Sequence, residues 1–123
     1  MKIYLRQIHP KLVDQNGAVS KEAFKPSSND QGLLSVCDKT KLPPEEFYNF
    51  YTSELNLESI GILGLSDAEC KQKSLPVIHD DEPYEGHCSI DFNNLSSGQM
   101  KKRARALRDF AIERGWLFEP KQK

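Results

Sequence analysis

The sequence predicts a small α+β protein in which residues 1–123 form a single domain. Apolar segments of strand length alternate with segments of helical periodicity, and turn signals rich in Gly, Pro and Asn separate them. The composition, 37% hydrophobic and 28% charged, is ordinary for a chain that buries one core. We therefore expect a mixed β-sheet of roughly three to five strands, two or three helices, and a C-terminal amphipathic basic helix.

The first third of the chain predicts two strands separated by a long connection. Residues 2–9 alternate in polarity, which favours a strand, and Asn16-Gly17 is a strong turn signal. Residues 19–24 fit either a strand or a short helical turn. A loop is expected over residues 26–32, and the apolar run 33–37 between turn residues predicts a short buried strand.

The middle of the chain predicts a helix over residues 43–55. Pro43 and Pro44 suit its first turn, where backbone N–H groups have no partner in the helix. Four aromatic residues follow within this short segment: Phe47, Tyr48, Phe50 and Tyr51. Rings that cover so much of one helix predict an exposed patch, and a homo-oligomer is therefore one expectation.

Residues 60–65 predict a buried strand whose glycines, Gly61 and Gly64, indicate either close approach of another stretch of backbone or a bulge. Ser66 and Glu69 have the spacing of a capping box, which predicts a helix over residues 67–73. A short extended piece is expected at 76–78. The alternating run 87–92 predicts a half-buried strand.

The last predicted element is a helix over residues 96–115. Ser96 and Gln99 form a second capping box, and Gly115 stands where a helix commonly ends. One apolar stripe runs along it through Met100, Ala104, Leu107 and Ala111. Trp116, Leu117 and Phe118 are expected to pack back onto the core.

Charge is distributed unevenly along the chain, although the formal net charge is only −1. Residues 96–123 contain eight basic and three acidic residues, a balance of +5. Residues 1–95 contain nine basic and fifteen acidic residues, a balance of −6. The main functional hypothesis is therefore a small accessory or regulatory domain that binds a macromolecular partner, either nucleic acid or an acidic protein, through the basic helix.

The residues predicted to make this contact lie on the outer face of the helix: Lys101, Lys102, Arg105 and Arg108. Their cationic groups would bind phosphates without regard to base sequence. The alternative is a solvated helix whose basic face pairs with the acidic body of the same chain.

A second functional hypothesis is a small enzyme acting on a phosphate-bearing substrate, a nucleotide or a nucleic acid. Its predicted catalytic residues are Arg6, His9, His87 and Asp91, with Ser35 as a nearby hydroxyl. Arg6 would hold an anion, one histidine would transfer a proton, and Asp91 would orient that histidine. The alternative is a set of polar side chains that only make hydrogen bonds at strand ends.

The sequence contains no signature of a cofactor or of a thiolate metal site. Phosphate-cradling glycine loops, dinucleotide fingerprints and paired Cys/His spacings are missing from it. The acidic segment 79–86 could bind a cation, but its spacing departs from that of a calcium loop. An odd number of cysteines, no span of membrane length and no secretion signal together predict a cytoplasmic protein with no membrane contact.

Overall fold

The computed structural model describes residues 1–120, and these form a five-stranded antiparallel sheet with helices on both faces. The strands are β1 (Ile3–Gln7), β2 (Leu33–Asp38), β3 (Ile62–Ser66), β4 (Val77–Ile78) and β5 (His87–Asp91). Their order across the sheet is β3-β1-β2-β5-β4. This is the predicted α+β class.

Three α-helices accompany the sheet: α1 (Pro44–Asn49), α2 (Asp67–Gln72) and α3 (Ser97–Arg114). Both predicted capping boxes are present, at Ser66 with Glu69 and at Ser96 with Gln99. Short 3₁₀ helices occupy Pro10–Leu12 and Lys21–Phe24, and a π-helix occupies Phe50–Glu54. The basic C-terminal helix predicted from the sequence is thus α3.

The core has two parts, one on each face of the sheet. The larger part packs α2, α3 and the second 3₁₀ helix against the side chains of Tyr4, Leu34, Val36 and their neighbours. The smaller part lies on the opposite face, where Leu5 and Cys37 contact Phe47 of α1. Alternate residues of each strand therefore face opposite halves of the core, as a pleated strand requires.

The ladder between β1 and β2 is unusually short and leaves a gap in the middle of the sheet. Only Tyr4 with Asp38 and Leu5 with Cys37 are paired between these strands. β1 continues to pair with β3 as far as Gln7, and β2 continues to pair with β5 from Leu33. β1 and β2 consequently separate beyond Leu5, and polar side chains occupy the space between them.

The segment after α3 returns to the sheet, as expected. Gly115 ends the helix with φ +90°, and the backbone of Leu117 and Phe118 then bonds to Ile62 at the edge of β3. A Cβ on Gly64 would lie 2.4 Å from a Leu117 methyl carbon, and one on Gly61 would lie 2.7 Å from the Phe118 carbonyl oxygen. These glycines therefore admit the returning segment, which is the close approach that the sequence predicts as one of two alternatives.

Three expectations about the fold are corrected, and one alternative that the sequence left open is decided. The sheet is antiparallel rather than mixed, because strands of equal direction are always separated by one of opposite direction. The predicted helix 43–55 becomes α1 followed by the π-helix. For residues 19–24, where the sequence fits either a strand or a short helical turn, the structure shows the turn, a 3₁₀ helix. The four aromatic rings of residues 47–51 do not form an exposed patch, since Phe47 is buried and the others are half-buried.

Candidate active site

A cleft of about 290 Å³ opens where β1 and β2 separate. Its lining contains charged and proton-transferring side chains. It also contains aromatic rings from the π-helix and from the loop before β5. The residues on which its chemistry depends are Arg6, Gln7, Ser35, Tyr51, Tyr84 and His87. The strands supply the polar floor, and the π-helix and the loop before β5 supply the aromatic walls.

Arg6 lies in the gap between the strands and is held there by two carbonyl groups. Its Nε donates to the Ala23 oxygen at 2.8 Å, and its Nη1 donates to the Ser35 oxygen at 2.9 Å. Within residues 1–120, no carboxylate lies within ion-pair distance of this guanidinium. Burial lowers the pKa of Arg6, with nearby Tyr51 and Asp30 opposing the shift. A half-buried cation that has no directly paired carboxylate, although Asp30 lines the same cleft, favours an anionic ligand.

His87 is buried at the first residue of β5 and is oriented by Asp80. The His87 Nδ1 lies 2.6 Å from Asp80 Oδ1, and the Ser89 hydroxyl donates to Asp80 Oδ2 at 2.9 Å. Burial opposes ionisation of Asp80, but the hydrogen bonds from His87 and Ser89 outweigh it and hold the pKa of Asp80 below its usual value. An ionised Asp80 keeps the proton of neutral His87 on Nδ1, which leaves Nε2 as the acceptor nitrogen.

Gln7 lines the same cleft and carries a buried acceptor without a partner. The side chain is only 7% exposed, and its Nε2 donates to the Phe47 carbonyl at 3.2 Å. Its Oε1 is the single buried side-chain oxygen or nitrogen in residues 1–120 that has no hydrogen-bond partner. Leaving such an acceptor unpaired costs roughly 1–3 kcal/mol.

Aromatic rings pack beside His87. Tyr84 meets the His87 ring edge-on, with centroids 5.3 Å apart, and Phe50 packs on the other side of Tyr84 at 5.1 Å. Burial, aided by nearby Cys37 and Tyr51, raises the pKa of Tyr84 far above its usual value. The phenol therefore stays neutral and can donate a hydrogen bond into the cleft.

Of the four predicted catalytic residues, the structure brings Arg6 and His87 to this cleft and leaves His9 and Asp91 outside its lining. His9 caps the first 3₁₀ helix, where its Nδ1 accepts from Lys11 N at 3.0 Å. Asp91 accepts from Asn93 N at 2.8 Å in the turn after β5. It shares a strand face with His87, but four residues along a strand span about 13 Å.

The expected orientation of His87 by Asp91 is therefore corrected, because Asp80 makes that contact. Asp80 belongs to the segment 79–86. The carboxylates of this segment suggested a cation-binding loop in the sequence, although their spacing is not that of a calcium loop. Asp80 is instead bonded to His87 and Ser89, and Asp81 accepts from Gly86 N at 2.9 Å. No group of three or more metal-ligating side chains occurs within residues 1–120. Sequence spacing alone gave no sign that the loop folds back onto β5.

The outer face of α3 keeps part of the predicted cationic surface. Lys101, Lys102 and Arg105 are exposed, and none of them is within ion-pair distance of a carboxylate in residues 1–120. Arg108 pairs with its neighbour Asp109 at 2.9 Å. Arg114, which also contributes to the positive balance of the segment, is paired with Glu69 at 2.9 Å. The positive charge of α3 is thus partly neutralised inside the chain.

Within residues 1–120, no helix combines the length and the apolar character that crossing a lipid bilayer requires. Comparison of the chain with protein-family models, with curated proteins and with solved structures gives no match.

Proposed function

We propose that the protein is a small enzyme that acts on a phosphate-bearing substrate in the cleft between β1 and β2. The observation that carries the proposal is the meeting of Arg6 and the His87–Asp80 pair in one cleft of about 290 Å³. An anion-binding group and a proton-transfer group at the same site are the minimum that phosphate ester chemistry needs.

Arg6 binds the phosphate in this proposal. Its two contacts to backbone carbonyls fix the guanidinium plane before any ligand arrives, so little conformational freedom is lost on binding. The planar fork of donors matches phosphate oxygens in a bidentate geometry that lysine cannot reproduce. The same cation stabilises the negative charge that develops on the phosphoryl oxygens in the transition state.

His87 transfers the proton. Its Nδ1 is bonded to Asp80, so Nε2 is the nitrogen that can accept a proton from a nucleophile and return it to a leaving group. Asp80 stabilises the imidazolium form, as the carboxylate of a catalytic triad does. The size of the cleft and its walls of Tyr51 and Tyr84 favour a substrate no larger than one nucleotide.

Titration of the isotopically labelled protein with inorganic phosphate and with a nucleoside monophosphate tests the proposal. We expect saturable amide shifts at the cleft residues, and at least a tenfold weaker affinity in Arg6→Gln, about 1.4 kcal/mol. Arg105→Gln, an exposed residue of α3, is the matched control and should bind as the native protein does. Absence of saturable shifts at the cleft, or unchanged affinity in Arg6→Gln, would contradict the proposal.

A second candidate function is binding of a macromolecule, protein or nucleic acid, through α3. It is supported by the exposure of Lys101, Lys102 and Arg105 without carboxylate partners in the described part of the chain. Arg108 is a weaker contributor because Asp109 competes for its charge. We further propose a cytoplasmic location, which suits three buried cysteines that form no disulfide.

Binding of generic duplex DNA at increasing salt concentrations tests this second candidate. Each lost phosphate contact should reduce the slope of log affinity against log salt by about 1. Charge reversal of Lys101, Lys102 and Arg105 to Glu should therefore flatten the slope by about 3. Reversal of Lys11, Lys39 and Lys41, which are exposed outside α3, is the control. An acidic partner protein replaces nucleic acid in this proposal if the native protein shows no salt-dependent DNA binding.

A further inference from the structure

We propose that Ser35 is the nucleophile of the cleft and that catalysis passes through a phosphoserine intermediate. The inference rests on the proposed enzyme function and adds a covalent step to it. Its evidence is the placement of Ser35 relative to His87, Asp80 and Arg6, which sheet register and hydrogen bonding determine independently.

Sheet register makes Ser35 and His87 neighbours on one face. Ser35 pairs with Ser89, and Cys37 pairs with His87, so Ser35 and His87 are diagonal across the β2–β5 ladder. Diagonal neighbours of an antiparallel pair have Cβ atoms about 7 Å apart or slightly less, within reach of a long or aromatic side chain. Both residues line the same cleft. The Ser35 and His87 side chains therefore face the same cleft.

The two serines of this face differ in what their hydroxyl groups do. The Ser89 hydroxyl donates to Asp80 and is buried, so it is committed to positioning the carboxylate. Ser35 is exposed to the cleft, and its hydroxyl makes no hydrogen bond to another group within residues 1–120. Ser35 is thus the hydroxyl that His87 Nε2 can activate, while Ser89 and Asp80 hold His87 in orientation.

Arg6 places the phosphate beside this hydroxyl. Its Nη1 donates to the backbone oxygen of Ser35 itself, at 2.9 Å. A phosphate bound by the remaining guanidinium donors is then adjacent to Ser35. A carboxylate bonded to a histidine, a serine diagonal to that histidine and a cation for the oxyanion are the groups by which serine is activated on several unrelated folds.

The reaction proceeds in two balanced steps. The Ser35 oxygen attacks phosphorus and gives its proton to His87 Nε2. The bond between phosphorus and the leaving oxygen breaks, and His87 returns the proton to that oxygen. Water then attacks the phosphoserine with His87 as base, which releases inorganic phosphate and regenerates the Ser35 hydroxyl.

A phosphorofluoridate probe, diisopropyl fluorophosphate, tests the nucleophile without knowledge of the natural substrate. In its reaction a bond forms between Ser35 Oγ and phosphorus, the P–F bond breaks, fluoride leaves, and His87 takes the proton. We expect one adduct in the intact mass, mapped to Ser35 by peptide analysis. The adduct should be absent in Ser35→Ala and should form roughly 100-fold more slowly in His87→Gln.

Ser97→Ala, an exposed serine at the start of α3, is the matched control and should label at the native rate. Native protein that gains no adduct, or gains it elsewhere than at Ser35, would overturn the proposal, and so would unchanged labelling of His87→Gln. The phosphate titration of Ser35→Ala separates the two proposals, because this exposed substitution leaves Arg6 intact. Normal phosphate binding without any labelling refutes the nucleophile alone, whereas no phosphate binding by the native protein refutes the proposed function.

Discussion

Arg114, in the last turn of α3, forms a two-pronged contact with Glu69, whose carboxylate completes the capping box of α2. Its Nη1 and Nη2 donate to Glu69 Oε1 and Oε2, each at 2.9 Å, and Nη1 also donates to the Gly64 carbonyl at 2.8 Å. Glu69 Oε1 in turn accepts from the Ser66 amide at 2.8 Å. One guanidinium therefore connects α3, the start of α2 and strand β3.

Arg114→Ala is expected to lower the free energy of unfolding by about 2–3 kcal/mol, because it leaves a largely buried Glu69 without its counter-ion. Arg108→Ala removes an ion pair to an exposed neighbour on the same helix and should change stability by less than about 0.5 kcal/mol. Urea unfolding of both variants measures the difference. Equal losses in the two variants would show that the link between α3 and α2 contributes little.

Gly64→Ala should destabilise the protein by roughly 1–3 kcal/mol, since its new methyl group would overlap a methyl carbon of Leu117. Gly98→Ala is the matched control, because nothing lies within 4 Å of a Cβ at that position of α3. There the substitution favours the helix by up to about 1 kcal/mol. Thermal unfolding of both variants should therefore shift in opposite directions, and a stable Gly64→Ala variant would contradict the close packing of the returning segment.

Stability should fall in mild acid because carboxylates are held in their charged form in the folded state. Burial opposes the charge on Glu69, but hydrogen bonds from Arg114 and Ser66 outweigh it and lower the pKa of Glu69. A lowered folded-state pKa contributes stability above the unfolded pKa, about 4.3 for Glu, and that contribution is lost as pH falls below it. Urea unfolding from pH 7 to pH 3 should therefore show a smaller drop for Glu69→Gln than for the native protein. Parallel curves for the two proteins would exclude this linkage.

Asp80→Asn should change the tautomer of His87 without unfolding the protein, because the amide keeps the shape of the carboxylate and loses its charge. Nitrogen chemical shifts of the imidazole report the tautomer directly. We expect a predominantly Nδ1-protonated neutral ring in the native protein and a mixture in Asp80→Asn. Asp91→Asn, which alters the other carboxylate on this face of β5, should leave those shifts unchanged. A response to Asp91→Asn instead would restore the sequence-based assignment of the orienting residue.

Local sequence signals predicted much of this fold, but they did not predict the contacts between segments that are distant in the sequence. The capping boxes at Ser66 and Ser96, the apolar stripe of α3 and the role of Gly64 each depend on residues near in sequence or on one-residue sterics. The strand order, the opening between β1 and β2, and the bond from Asp80 to His87 depend on how distant segments meet. Arg6 and His87 were predicted as residue types able to do chemistry, but only the register brings them to one cleft.

The segment at Leu117 and Phe118, which pairs with the edge of β3, has a consequence for aggregation. β3 is an outer strand, and an outer strand with open backbone groups can recruit a strand from another molecule and start aggregation. The bonds from Ile62 N to the Phe118 oxygen and from Leu117 N to the Ile62 oxygen occupy the Ile62 end of that edge, while on the opposite edge β4 offers only two residues. The returning segment thus covers part of the β3 edge and reduces the backbone that a strand from another molecule could pair with.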